Sequence, residues 1–332
     1  MIAGPIVRYH DISQQITNRL YTTEKFLNGI YRFCLGLAKK VLIANALGEV
    51  ADKIFELSPT EMTLSYAWIG IFAYSFQIYF DFSGYSDMAI GLASMQGFHL
   101  LENFNQPYIS KSITEFWKRW HISLSNFMKE YLYIPLGGNR VNKLRQYVNL
   151  WVVFLMSGLW HGANWTFIVW GAYHGFFLMI DKMFWSRVSK KLPGWFLQIF
   201  TFFVVTIGWV FFRAADIEYA GKLMHRLFSL HDTIPPILWS EIINNRTIVV
   251  FILAVLICFL PGWPRFTEAK NKLWSLLTAK LNKDKEQIGI NYAAAGELVR
   301  ISVKFGFSMV LFFLCILSLA NSTYNPFIYF RF

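Results

Sequence analysis

Residues 146–180 read QYVNLWVVFLMSGLWHGANWTFIVWGAYHGFFLMI. This stretch has no Asp, Glu, Lys or Arg, and it is long enough for two short helices across a bilayer, since one pass needs about 17–25 predominantly apolar residues. Further uncharged runs cover residues 62–80, 192–212, 247–264 and 305–330. Membrane barrels are excluded, because their strands are short and alternate polar with apolar residues. The sequence therefore predicts an all-α, polytopic transmembrane bundle.

The composition agrees with a membrane protein. Of the 332 residues, 55% are hydrophobic and 15% are charged, whereas soluble domains carry about 25% charged residues. The net charge of +11 is typical of a cytoplasmic excess of Lys and Arg. It does not indicate a nucleic-acid partner, because no nucleic-acid motif accompanies it. The partner predicted by composition is the lipid bilayer.

The three cysteines predict no metal site and no disulfide framework. Cys34, Cys258 and Cys315 all lie in apolar stretches, they are odd in number, and they lack the spacing of metal ligands. We expect them to be small buried hydrophobic residues.

The distribution of charge predicts how the chain is oriented. Basic residues outnumber acidic ones in segments 111–145, 181–191 and 265–304, whereas the two are balanced in 213–246. The positive-inside rule then places the three basic segments in the cytoplasm, and 213–246 with the C-terminus outside. The chain must leave the cytoplasm and return within 146–180, which predicts two short helices with a turn near residues 158–162.

His161 is the strongest candidate for chemistry, because it lies at this turn in the run GLWHGANW (158–165). An ionisable residue at membrane depth is costly and is a functional hypothesis by default. A neutral imidazole can take a proton from a hydroxyl. The alternative for His161 is a hydrogen-bonded contact between helices. His174 is a weaker candidate, and for His121 the two interpretations are evenly balanced.

A second polar segment begins at 112–115, where SITE is a capping-box pattern that predicts a helix start. Apolar residues follow at three- and four-residue spacing as far as Tyr131, which predicts one amphipathic, interfacial helix with His121 at the edge of its apolar stripe. Asp81 and Asp87 follow an uncharged run. Pairing with Lys or Arg is favoured for them over a role in an ion path.

Several long motifs, in the same order along the chain, resemble the membrane-bound O-acyltransferase family and most closely its alginate O-acetylase branch. They are FSGYSDMAIG (82–91), ENFNQPY (102–108), FWKRWHISLS (116–125), YIPLGGNR (133–140), GLWHGANW (158–165), WVFFRA (209–214) and FIYF (327–330). The resemblance covers nearly the whole chain, so we expect a single domain over 1–332. In this family the run AGPIVRY (3–9) normally follows further membrane helices, so a form shortened at its N-terminus is expected.

The resemblance implies a fold in which many helices, including re-entrant and interfacial ones, surround a central tunnel. It implies two functional histidines, which match His161 as the main catalytic residue and His121. Trp160 and Asn164 beside them are predicted to bind substrate, with the Asn164 amide donating to a developing oxyanion.

The implied activity is that of an O-acyltransferase in the bacterial cytoplasmic (inner) membrane. The expected donor is cytoplasmic acetyl-CoA, with no bound cofactor and no metal. The expected acceptor is an extracytoplasmic polysaccharide or a partner protein that relays the acyl group. His161 would act as general base, and a covalent acyl-histidine relay is an open alternative.

Three other functions stay open. D-alanyl transfer to teichoic acid belongs to a similar branch of the family. A transporter would use Asp81, Asp87 and His161 as an ion path, although the two halves of the chain lack the inverted repeats of many transporters. The last alternative is a non-catalytic subunit of a polysaccharide export complex.

Overall fold

The computed structural model describes residues 4–230, 237–263 and 292–321, together with the single residues 266, 268, 272 and 324. These residues form helices and connecting loops, with no β-strand among them. The predicted FIYF motif (327–330) and most of the basic segment 265–304 lie outside the described residues. The α-helices are, in chain order, α1 (Tyr9–Thr17), α2 (Thr23–Ala38), α3 (Asn45–Phe55), α4 (Leu64–Met95), α5 (Ile113–Arg119), α6 (Ile122–Met128), α7 (Lys143–His161), α8 (Trp165–Ile180), α9 (Ser186–Val188), α10 (Gly194–Arg213), α11 (Ile217–Phe228), α12 (Trp239–Ile242), α13 (Asn245–Phe259) and α14 (Tyr292–Ala320).

The long helix α4 is the centre of the bundle. Its 32 residues span about 48 Å at 1.5 Å per residue. Helix α2 crosses it closely, because glycine meets glycine: Gly29 lies against Gly91, and Gly36 against Gly84. A Cβ atom added to Gly36 would lie 2.5 Å from the carbonyl oxygen of Gly84. Helix α2 then continues through a π-helical segment, Lys39–Ala44, into α3.

Ion pairs explain how α4 continues beyond the uncharged run 62–80. The Lys40 ammonium lies 2.7 Å from the Asp81 carboxylate, and both side chains are 4% exposed. Asp87 pairs with Arg32 at 2.9 Å and with Lys39 at 2.6 Å. An unpaired buried charge is strongly destabilising. The predicted structural pairing of Asp81 and Asp87 is confirmed.

Helices α7 and α8 form the hairpin predicted for 146–180. The turn falls at residues 162–164, slightly later than expected, and it leaves His161 as the last residue of α7. The two helices touch backbone to backbone. A Cβ atom on Gly158 would collide with the carbonyl oxygen of Phe167, and one on Gly171 with that of Phe154.

Among the described residues, three helical stretches are long and apolar enough to cross a membrane: Gly194–Arg213, Asn245–Gly262 and Ile301–Ala320. They overlap the uncharged runs 192–212, 247–264 and 305–330, whereas the helices over runs 62–80 and 146–180 are not among these three stretches. The three cysteines are buried, as expected.

The segment after residue 112 differs in part from its prediction. Ser112 caps α5, since its hydroxyl accepts a hydrogen bond from the Glu115 N–H at 3.1 Å, so the predicted helix start is confirmed. The prediction of one continuous amphipathic helix is wrong. The chain breaks at Trp120 and His121, where His121 has a φ of +45°, and helix α6 begins at Ile122. The break arises because Asn103, in the loop between α4 and α5, accepts hydrogen bonds from the first N–H groups of α6.

Candidate active site

His161 lies in an aromatic environment built by three helices. Its ring centroid is 4.9 Å from that of Trp160 on α7, 5.2 Å from Trp170 on α8 and 5.0 Å from Phe212 on α10. The ring is partly exposed. Among the described residues its imidazole has no hydrogen-bond partner, so both ring nitrogens can meet a substrate.

His121 comes from a different element and lies near the same place. It is 2% exposed, and its ring lies edge-on to Phe82 with centroids 4.6 Å apart. The ring of Trp160 is 6.3 Å from His121 and 4.9 Å from His161. Trp160 therefore contacts both predicted histidines, and the structure brings these three predicted site residues together.

Burial lowers the pKa of His121 well below its ordinary value, and the nearby His161 lowers it further. His121 is therefore neutral at physiological pH, with one N–H and one lone pair on its ring.

Asn164 caps α8 beside this pair. Its side-chain oxygen accepts from the Thr166 N–H at 3.2 Å, and its amide donates to the Ala215 carbonyl at 2.9 Å. Both ends of the amide thus hold the turn between α7 and α8 against the end of α10. An amide nitrogen carries two N–H donors, so the predicted contact with a substrate oxygen would use the second one.

A cavity of about 240 Å³ opens beside His121, between α5, α6, α7 and α8. Its inner wall is largely apolar and includes Trp117, Leu124 and Phe154. Three lysines also line it, namely Lys118, Lys129 and Lys182, and all three are exposed. The cavity therefore combines an apolar interior, a neutral histidine and a positively charged rim.

His174 lies apart from the cavity lining. It is 0% exposed, and its ring centroid is 5.1 Å from that of Trp117 and 5.1 Å from that of Trp170. Trp170 thus contacts both His161 and His174. Asp81 and Asp87 form their ion pairs on the face of α4 that packs against α2 and the π-helical segment, so the structure does not bring them to the histidines.

Sequence reasoning assigned Asn103 no role, although it is 0% exposed and contacts His121. Its only signal was its place in the ENFNQPY motif, because nothing local in the sequence indicates that a loop asparagine reaches a histidine 18 residues later.

Comparison with known proteins identifies the family of this chain. The family model of MBOAT, the membrane-bound O-acyltransferase family, matches residues 1–220. The probable alginate O-acetylase AlgI of Azotobacter vinelandii is 41% identical over 345 residues, covering 100% of this chain and 67% of that protein. The probable alginate O-acetylase AlgI of Pseudomonas aeruginosa is 49% identical over 229 residues, covering 69% of this chain and 44% of that protein.

A third relative has a different acceptor in its name. The peptidoglycan O-acetyltransferase of Helicobacter pylori is 44% identical over 241 residues, covering 70% of this chain and 45% of that protein. The chain thus spans from under a half to about two thirds of the length of these relatives. The family match covers the motifs of both histidines and of Asn164, and on this ground the chain belongs to the membrane-bound O-acyltransferase family.

Proposed function

We propose that this chain transfers an acetyl group from cytoplasmic acetyl-CoA to a hydroxyl group on the other side of the membrane. The observation that carries the proposal is the meeting of His121 and His161 around Trp160, with His121 on the wall of a lysine-rimmed cavity. The cavity would take the donor from the cytoplasmic side predicted for residues 111–145. The partly exposed His161 would meet the acceptor.

The chemistry follows from the histidine pair. The acceptor oxygen attacks the thioester carbonyl while His161 takes the hydroxyl proton. The C–S bond then breaks, and the leaving thiolate of the donor recovers a proton. General-base catalysis of this kind typically contributes about 10²–10⁴-fold. A covalent acyl-histidine relay is the alternative course of the reaction.

The lysines support an anionic donor. Partial burial lowers the pKa of Lys182, and the neighbouring Lys118 lowers it further. A bound phosphate would offset the repulsion between Lys118 and Lys182. A cluster of positive charges also raises the local concentration of anions. Coenzyme A carries phosphates, so the rim of the cavity suits that part of the donor.

The acceptor is proposed from the relatives. These relatives include an alginate O-acetylase and a peptidoglycan O-acetyltransferase, so we propose an extracytoplasmic polysaccharide as the acceptor class, reached directly or through a relay protein. With such an acceptor, we propose that the chain lies in the cytoplasmic membrane of a bacterium. Acetyl is preferred to D-alanyl, because relatives named for D-alanyl transfer are 29–30% identical and those named above are 41–49% identical.

The test is transfer from labelled acetyl-CoA by the purified protein in detergent, with His161→Ala beside it. We expect the substitution to lower turnover by about 10²-fold or more, as removal of a general base does. His225→Ala is the matched control, since His225 lies on α11 and is exposed. Equal turnover of His161→Ala and the unaltered protein would contradict the role of His161. No turnover by any form, with acceptor and relay protein supplied, would contradict the proposed function.

A further inference from the structure

The loop between α4 and α5 holds His121 in place through one buried side chain, Asn103. The backbone oxygen of Asn103 accepts from the Ile122 N–H at 2.9 Å, and its side-chain oxygen accepts from the Ser123 N–H at 3.2 Å. The first N–H groups of a helix have no partner within it, so Asn103 caps α6 from a distant point of the chain. The backbone of His121, directly before α6, takes φ +45° and ψ +54°. This left-handed conformation is unfavourable for a non-glycine residue, so the contacts around His121 must hold it there.

The same contacts determine which amide atom of Asn103 faces His121. The backbone N–H of Ser123 can only donate, so the Asn103 atom beside it is the carbonyl oxygen, Oδ1. The Asn103 amide nitrogen points the other way and donates to the Ser86 hydroxyl at 3.0 Å.

The orientation of the amide in turn determines the tautomer of His121. Oδ1 of Asn103 lies 3.2 Å from Nδ1 of His121. An amide oxygen only accepts, so Nδ1 must carry the hydrogen. A neutral imidazole has one N–H and one lone pair, which places the lone pair on Nε2, at the opposite edge of the ring.

Among the residues that the structure describes, three uncharged side chains face His121 from packed elements: Phe82 of α4, Ser123 of α6 and Trp160 of α7. Glu102, next to Asn103 in the chain, is paired with Arg32. The other titratable groups nearby are His161 and the cavity-lining Lys118, Lys129, Lys182 and Tyr133.

We propose that Asn103 is a positioning residue that holds His121 as its Nδ1–H tautomer, so that Nε2 serves as the acceptor of a hydrogen bond or proton in the transfer reaction. The inference rests on the proposed function for its kinetic consequence, but the tautomer itself can be observed without turnover. Which ring nitrogen of a histidine is protonated is commonly set by the hydrogen bond that the other nitrogen makes.

The kinetic test compares Asn103→Leu, Asn103→Asp and Asn149→Leu. Leucine removes the Oδ1 acceptor at nearly constant volume. We expect kcat to fall by about 10²-fold, because a small misplacement of a catalytic group can have an effect of this size. The KM for acetyl-CoA should stay unchanged. Asn149 is also a buried asparagine, 1% exposed, and it donates to the Leu136 carbonyl. Asn149→Leu therefore matches the loss of a buried amide, and it should lower thermal stability while leaving kcat and the pH profile unchanged.

Asn103→Asp separates positioning from packing. A carboxylate still accepts from Nδ1–H and from the Ser123 N–H, so substantial activity should return relative to Asn103→Leu. Its negative charge favours the charged imidazolium and raises the pKa of His121. His121 must be neutral to accept at Nε2, so the fall in activity on acidification should begin at a higher pH than in the unaltered protein.

The structural test is the ¹⁵N spectrum of histidine-labelled protein, with the His121 signal assigned by its loss in His121→Gln. Protonation at Nδ1 supports the proposal, and protonation at Nε2 overturns it, whether or not turnover is detected. An Asn103→Leu protein with unaltered kcat and pH profile also overturns it. If the unaltered protein shows no transfer, the proposed function fails and the spectrum alone decides the role of Asn103.

Discussion

At the residue scale, the site depends on the neighbours of each histidine. His161 is surrounded by aromatic rings and is partly exposed, whereas His121 is buried and tied to Asn103. The two imidazoles therefore differ: His161 has no hydrogen-bond partner among the described residues, whereas His121 is held by Asn103. This difference agrees with a division in which His161 handles the acceptor proton and His121 orients a reactant.

The lysines at the cavity rim give a prediction at this scale. In Lys182→Gln and in Lys118→Gln we expect the KM for acetyl-CoA to rise about 3- to 10-fold with kcat unchanged, because a lost contact to the donor phosphates weakens ground state and transition state alike. The effect should diminish at high ionic strength, since salt screens exposed charges. Initial-rate kinetics at two salt concentrations measure both. Lys191→Gln is the control, because Lys191 is exposed and does not line the cavity. An unaltered KM for acetyl-CoA in both cavity variants would show that Lys118 and Lys182 do not bind the donor.

At the element scale, the hairpin of α7 and α8 positions His161. The helices can approach so closely only because Gly158 and Gly171 lack side chains where the facing backbone passes. Asn164 then ties the turn to the chain just beyond α10. A shift of α8 relative to α7 would move Trp170 away from His161.

This close approach predicts the outcome of a single added methyl group. Gly171→Ala should lower the free energy of unfolding by about 1–3 kcal/mol, as overpacking does, and it should lower turnover because His161 is displaced. The measurement is the thermal midpoint in detergent together with the transfer rate.

Gly221→Ala on α11 is the matched control, since a Cβ atom there meets nothing within 4 Å. Alanine is favoured over glycine within a helix by roughly 0.5–1 kcal/mol, so this variant should be at least as stable as the unaltered protein. Equal midpoints for the two variants would show that the α7–α8 contact tolerates a side chain.

At the scale of the whole molecule, the charge distribution predicts the orientation. Segment 181–191 is basic and 213–246 is balanced, and α10 between them is long and apolar enough to cross the membrane. The two ends of α10 should therefore face opposite sides. This orientation would place the lysine-rimmed cavity toward the cytoplasm and the acceptor side of His161 outside.

Labelling of introduced cysteines checks this orientation. With a membrane-impermeant maleimide on spheroplasts, Glu218→Cys should react directly, whereas Lys190→Cys should react only after the membrane is opened. Both positions are exposed, and the three native cysteines are buried and serve as an internal background. The reverse pattern would invert the predicted topology and place the cavity outside.

The features that the sequence predicted correctly are those that depend on neighbours along the chain. Three uncharged runs identified the helical stretches that are long and apolar enough to cross a membrane, because a helix in lipid satisfies its backbone internally and needs only apolar side chains. The cap at Ser112 was readable because a capping residue acts three positions away. The α7–α8 hairpin, with His161 at its turn, followed from one uninterrupted stretch.

The rest was decided by contacts between residues far apart in the sequence. The apolar stripe after residue 112 continues without interruption through His121, so periodicity alone predicts one helix there. Asn103 ends that helix, because it reaches across 18 positions and offers the Ile122 and Ser123 N–H groups an alternative partner. The pairing of Lys40 with Asp81 and the meeting of His121, Trp160 and His161 likewise exist only once the helices pack. Sequence thus determined the class of fold and the candidate histidines, whereas tertiary structure determined their environments, since burial and hydrogen bonding are properties of the packed molecule.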